Sequence, residues 1–240
     1  MSTFFKLVRH EMKFPAISTL FVTKLMSLIT LVVFLGLTIG IVMGLENGLD
    51  NFQYFNQTFN GIMFVAFGMG MGFINKEFQK NTASWWLTLP YPRELLYRAK
   101  LLSIMMYYLY VYFYSYLIIK ASIIVAITCT GKWSQFSLSN VFHNDVIFFL
   151  TSFLGAMLLG TYAICIMLFT KKFKAVSVLL WVPFGLLAGF MMPNLLMEMV
   201  MPAANGESIS VPIHLLIGSP ILTILLYAFG VHLLKKHTNL

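Results

Sequence analysis

The chain has 240 residues, of which 59% are apolar, 16% aromatic and only 10% charged, with a mean hydropathy of +0.84. Soluble domains carry about 25% charged residues, so this composition excludes a water-soluble fold. Six spans of about 20 residues would take roughly 120 residues, which leaves no room for a nucleotide-binding domain or a large external receptor domain. The formal charge of +8 would point to nucleic acid in a soluble protein. In an apolar chain it records orientation, because cytoplasmic loops collect Lys and Arg.

Residues 3–14 alternate bulky apolar side chains with basic ones. Phe4, Leu7, Val8 and Met12 share one helical face, and Lys6, Arg9 and Lys13 share another. That pattern predicts a helix lying in the inner membrane interface, ended by Pro15; the plain alternative is a frayed basic N-terminus. The apolar run that follows is too long for the core of a cleavable signal. Spans are expected at about 17–44, 55–74, 101–128, 146–170, 175–192 and 213–234. The expected fold is therefore all-α and membrane-embedded, a single transmembrane domain over 1–240. It comprises six transmembrane helices, the N-terminal interfacial helix, a helix in the inner connector 75–100, and a short outer helical insertion in the linker 193–212.

With the N-terminus inside, 13 of the 16 basic residues fall on inner segments, and five of the eight acids (Glu46, Asp50, Asp145, Glu198 and Glu207) fall on outer ones. This is a strong positive-inside asymmetry. Lys24 and Lys120 remain within spans and are expected to snorkel to the interfaces, since no acid is assigned to any span. Cys129 and Cys165 fall near opposite faces, too far apart for a disulfide.

Small residues four apart let helices approach closely in lipid. The triplet Gly36, Gly40 and Gly44 is expected to form a contact face; Gly68 with Gly72, and Gly185 with Gly189, are equally read as contacts or as the ordinary glycine content of membrane helices. Pro183 and Pro220 sit where they would bend the fifth and sixth spans. The third span holds six tyrosines within ten residues, from Tyr107 to Tyr116. Tyr107, Tyr110 and Tyr114 share one face, and Tyr108, Tyr112 and Tyr116 the next. They sit roughly 9 to 23 Å along the helix from Leu101, at depths where hydroxyls need partners. Either face could serve interhelix hydrogen bonding, and Tyr107, Tyr110 and Tyr114 are the candidate lining of a substrate path.

No Gly-x-x-x-x-Gly-Lys-Ser/Thr and no His-Glu-x-x-His occurs in the sequence, and no Cys/His pattern for a metal. Ser219 with His214 or His232 is the one conceivable nucleophile–base pair, although Gly218-Ser219-Pro220 reads more simply as a helix-bending element. With no carboxylate assigned to a span, energy for any transport must come from elsewhere.

The inner connector 75–100 carries the most information. Residues 76–89 predict a helix that Pro90 ends, and Pro92 suits the start of the next. Trp85 and Trp86 require burial by a partner protein or by lipid. Glu77, then Thr82, then Leu89-Pro90, Arg93 and Lys100 follow the order seen in the first inner loop of ABC-2 type permeases, the membrane subunits of ATP-binding-cassette exporters. The chain resembles that family in topology throughout and in motif over the connector. Asn81 and Pro92 depart from its glycine and serine, and Trp85 and Trp86 replace aliphatic positions. The resemblance implies that the connector holds a coupling helix docking on a separate P-loop ATPase, with Glu77, Thr82, Trp85, Trp86 and Arg93 as coupling contacts. It also implies a second permease chain, identical or homologous, and no cofactor in this chain, ATP and Mg²⁺ belonging to the partner. It implies a multi-pass plasma-membrane protein with both termini cytoplasmic, like the small bacterial exporters of peptides and antibiotics. The tyrosine- and methionine-rich interior suits an amphipathic substrate. Two other classes remain: an intramembrane hydrolase, and a non-transporting immunity or scaffold subunit.

Overall fold

A computed structural model of the chain describes residues 7–8, 20–46, 58–79, 91–133, 138–172 and 213–236. These form five α-helices and no strand among the described residues: α1 Leu20–Glu46, α2 Thr58–Gln79, α3 Arg93–Thr130, α4 Leu138–Lys172 and α5 Ile213–Lys236. Three stretches are long and apolar enough to cross a membrane, namely Arg93–Thr130, His143–Thr170 and Leu216–Lys235, while α1 and α2 contribute the shorter apolar stretches Thr30–Gly44 and Ile62–Asn75. The described residues are thus almost wholly helical, and their long apolar stretches mark a membrane protein. The expected fifth span, the outer insertion and most of the interfacial helix 3–14 lie outside the described residues. From that last segment Leu7 and Val8 are helical, and Val8 is buried.

Local sequence sets the helix limits. Pro92 has no N–H to offer and a fixed φ (here −54°), so it starts a helix without continuing one. Its carbonyl accepts the first-turn amides of Leu95 and Leu96 at 2.9 and 3.3 Å. At the other end Gly131 takes φ +69°, a left-handed cap that stops α3 and costs a glycine nothing. Between these two residues α3 runs 38 residues unbroken, about 57 Å at 1.5 Å per residue. The connector and the third span are therefore mechanically one rod from Arg93 onward. α2 likewise continues past the expected end of its span into Gln79.

The start of α4 corrects the expected loop. Helix begins at Leu138, so His143, Asn144 and Asp145 stand in its first two turns instead of in a connector. Asn144 and Asp145 are buried.

Paired contacts give the helix directions. Thr30 meets Tyr114 and Phe34 meets Ser122, so α1 and α3 run the same way. Met63 packs over Gly155, and Gly70 packs on Ala163. Leu154 meets Ser219, and Cys165 meets Leu226. Hence α2, α4 and α5 run the same way as each other. Tyr97 meets Cys165, Tyr108 meets Ser152 and Lys120 meets Asp145, which sets α3 against α4.

α4 is the central helix, packed most extensively on α2 and next on α5. Its approach to α2 uses small residues: Ala66 and Gly70 on α2 lie against Gly160 and Ala163 on α4, and a Cβ at Gly70 would stand 2.8 Å from the Ala163 Cβ. The glycines singled out by spacing behave otherwise. Gly36 and Gly40 have open space around them, as do Gly68 and Gly72. Among the described residues nothing packs on Gly36 and Gly40 of the expected α1 contact face, and their neighbours Leu35, Ile39 and Met43 are exposed too.

Candidate functional site

The two tyrosine faces of α3 separate as their spacing predicts, and they do different things. Tyr108 and Tyr112 are buried and face α4. The Tyr108 hydroxyl donates to Ser152 Oγ at 2.8 Å. Its ring lies 6.3 Å from Phe153, and the Tyr112 ring lies edge-on to Phe149 at 5.2 Å. On the other side Tyr110 and Tyr114 are 67% and 44% exposed and stack at 6.2 Å. Tyr114 also shares a 2.7 Å hydrogen bond with Thr30 of α1. Tyr107 is half-buried, edge-on to Phe73 of α2. Of the three candidate path residues, Tyr110 and Tyr114 therefore form an open ledge on the α1/α3 side, and Tyr107 packs at the α2 boundary.

Further along the buried stripe the four-residue spacing continues from Tyr108, Tyr112 and Tyr116 to Lys120, and here the sequence reading fails. Lys120 does not snorkel alone. Its ammonium donates to Asp145 Oδ1 at 2.7 Å, the Tyr116 hydroxyl donates to Asp145 Oδ2 at 3.0 Å, and the ammonium lies 5.4 Å from the Tyr116 ring centre. The side chains of Lys120 and Asp145 are only 16% and 8% exposed. Asp145 falls inside the apolar stretch His143–Thr170, so the expectation of spans free of acids is also overturned. Charges taken out of water cost several kcal/mol each unless excellent geometry offsets it, and charges within spans mark functional positions by default. Asp145 was missed because Asn140, His143, Asn144 and Asp145 read as a polar loop. The missing clue is the short link between α3 and α4, which sets residues just before it level with residues just after it.

At the Arg93 end a second polar knot ties α3 to α4 and α5. Tyr97 is buried, its hydroxyl 3.4 Å from the Thr161 carbonyl and 3.6 Å from Cys165 Sγ. The Cys165 thiol donates to the Leu226 carbonyl at 3.0 Å. The Tyr97 ring is edge-on to Tyr227 at 5.2 Å and covers Gly230, where any Cβ would stand 2.6 Å from it. Outside this knot Arg98 donates to the Tyr227 hydroxyl at 2.8 Å, and Glu94 meets Lys235 at 3.3 Å. Lys100 is buried at this level. Cys129 is exposed at the opposite end; both thiols are free, as their separation predicts.

Of the expected coupling residues, Arg93 opens α3 half-buried, with Nη1 enclosed and without a hydrogen-bond partner. Thr82, Trp85 and Trp86 lie outside the described residues, as does the side chain of Glu77 in the last turn of α2. Ser219 donates to the Leu154 carbonyl at 2.9 Å, a tie between α5 and α4. His232 is about 20 Å further along the same helix at 1.5 Å per residue. Ser219→Ala is expected to cost about 1 kcal/mol of stability, read by thermal unfolding, and to leave activity intact. Abolished activity in a stable variant would restore the hydrolase reading.

Comparison of the chain with known protein families, with characterised proteins and with solved structures returns no match. What the site can do rests on its own geometry. Among the described residues no group of three His, Cys, Asp or Glu is placed to hold a metal ion. The arrangement holds one rod-like helix, tied by hydroxyls at one end and by an ion pair near the other, with an open tyrosine ledge on its far side.

Proposed function

We propose that the protein is the membrane-spanning subunit of an ATP-driven exporter of an amphipathic substrate, coupled through its connector 75–100 to a separate P-loop ATPase. The supporting observation is α3. It begins within the Trp-bearing connector, at Arg93, and continues without a break past both tyrosine faces to Gly131. A push on the connector would therefore reach the far side of the bundle through one element.

Helix direction supports six spans. α4 and α5 run the same way, so the chain has to return the length of the bundle between Lys172 and Ile213, and the apolar run 175–192 is the segment suited to that return. The Arg93 end is then cytoplasmic. Arg93, Arg98, Lys100, Lys171, Lys172, Lys235 and Lys236 all belong to it, in keeping with the positive-inside rule. Both termini fall on that side. Glu77, Thr82, Trp85, Trp86 and Arg93 would contact the ATPase. Tyr110 and Tyr114, with Tyr107 behind them, would face the path shared with a second permease chain.

The test is co-purification from the native membrane. A P-loop ATPase is expected to accompany the chain, and Trp85→Ala with Trp86→Ala is expected to lower its recovery about tenfold or more, as loss of buried Trp contacts does at interfaces. Unchanged recovery and unchanged transport in the double variant would refute the coupling assignment. Transport in vesicles that lack any nucleotide hydrolase would instead favour an ion-coupled carrier built on Asp145. An absence of transport under every condition would favour the immunity or scaffold class.

A further inference from the structure

Building on that reading, we infer that Lys120, Asp145 and Tyr116 form an outer latch on a second way in for substrate, the seam between α3 and α4, on the opposite face of α3 from the Tyr110–Tyr114 ledge. Its release lets the outer half of α3, with α1, part from α4, and admits an amphipathic substrate to the hydroxyl- and aromatic-lined seam between them. The two halves of α3 are held in different ways. In the inner half Tyr97 is enclosed by α4 and α5, and Ile104 sits within van der Waals reach of Gly70 and Gly160. Ile104 there covers the glycines at which α2 and α4 come together, so parting the inner half would break tight packing. In the outer half the two helices meet through long side chains. Tyr108, Tyr112 and Phe113 reach across to Phe149 and Phe153, whose rings stack along α4. The ties at this level are the Tyr108–Ser152 hydrogen bond and the bonds of the triad.

Hydration decides where such a bundle opens. Exposing an apolar interface to water is unfavourable in proportion to its area. Exposing hydroxyls and an ion pair returns to those groups the water they lost on burial. The outer α3/α4 seam holds hydroxyls and an ion pair beside its rings, so wetting it returns water to groups that lost it on burial. α1 stays with α3 through Thr30–Tyr114 and Ser122–Phe34. The opened seam would offer ring faces to apolar groups and hydroxyls to polar ones, in keeping with an amphipathic substrate.

The experiment uses Ser152→Cys in a Cys129→Ser background, reconstituted alone in sealed vesicles and treated with a charged, water-soluble thiol reagent. Ser152 is buried at the middle of the seam, so the thiol at position 152 should react slowly. Asp145→Asn and, separately, Lys120→Met are expected to speed its labelling about tenfold or more, the mark of a shifted open–closed equilibrium. Exchanging the charges, Lys120→Asp with Asp145→Lys, is expected to restore protection. Thermal unfolding identifies variants that are folded. Asp145→Asn keeps an oxygen for Lys120 and carries the test where Lys120→Met does not fold. Protection at the parental rate in the folded single variants, or labelling of the charge-exchanged protein as fast as theirs, overturns the latch. The assay holds no ATPase and no substrate, so its outcome is separate from failure of the exporter reading, which shows as absence of a co-purifying ATPase.

Discussion

Asp145→Leu, with Lys120 left in place, is expected to destabilise the protein by about 3–5 kcal/mol, the usual cost of leaving one buried charge uncompensated. The carboxylate accepts both the Lys120 ammonium and the Tyr116 hydroxyl within 3.0 Å. Removing it takes the ion-pair partner from the Lys120 ammonium and the acceptor from the Tyr116 hydroxyl. Lys120→Met should fall in the same range, because it removes the cation that compensates the carboxylate. The informative comparison is the double replacement, Lys120→Met with Asp145→Leu. Two well-packed apolar residues in place of a buried pair are often neutral or stabilising, so the double variant is expected to recover most of the loss. Thermal unfolding in a lipid-like detergent reads all three. Losses under about 1 kcal/mol for each single variant, the scale of a solvated surface pair, would mean that water reaches the triad freely.

The second large effect is expected at Gly70. A Cβ there would stand 2.8 Å from the Ala163 Cβ and 3.2 Å from the Gly160 carbonyl oxygen. One of these is a backbone atom, which no change of side-chain rotamer relieves. Gly70→Leu therefore forces α2 and α4 apart and is expected to cost about 3 kcal/mol or more, at or beyond the upper end of overpacking effects. Gly36→Leu and Gly40→Leu meet open space on α1 and should change stability by less than about 0.5 kcal/mol, as exposed substitutions do. The same unfolding measurement ranks them. The reverse order would mean that the glycines of α1, not those of α2 and α4, carry the packing of the chain.

These two sites also mark where sequence reasoning ends. Apolar run length and the start signal at Pro92 were enough to predict the five described helices, though not where α4 begins. The spacing of the tyrosines was enough to split them into two faces. Charge counts were enough to group the basic residues at one end. Which glycine face meets another helix was not legible, because spacing lets helices approach closely without saying which neighbour stands there. Gly36 and Gly40 have the better pattern, yet Gly70 has the contact. Asp145 escaped for a related reason. Four polar residues between Asn140 and Asp145 look like a loop in isolation, and they are helical because α4 presents Asn144 and Asp145 to its neighbours instead of to water. The coupling role proposed for Thr82, Trp85 and Trp86 rests on the connector's sequence alone.

The link between α3 and α4 sets a size limit. Seven residues separate Thr130 from Leu138, a tether of at most about 27 Å when fully stretched. A folded domain of 100 residues has a radius of gyration of about 13 Å, and its full width is larger than any gap this tether allows once the thickness of two helices is subtracted. An extended peptide or a single acyl chain is slim enough. Whatever passes between these two helices has to travel unfolded or be small from the outset.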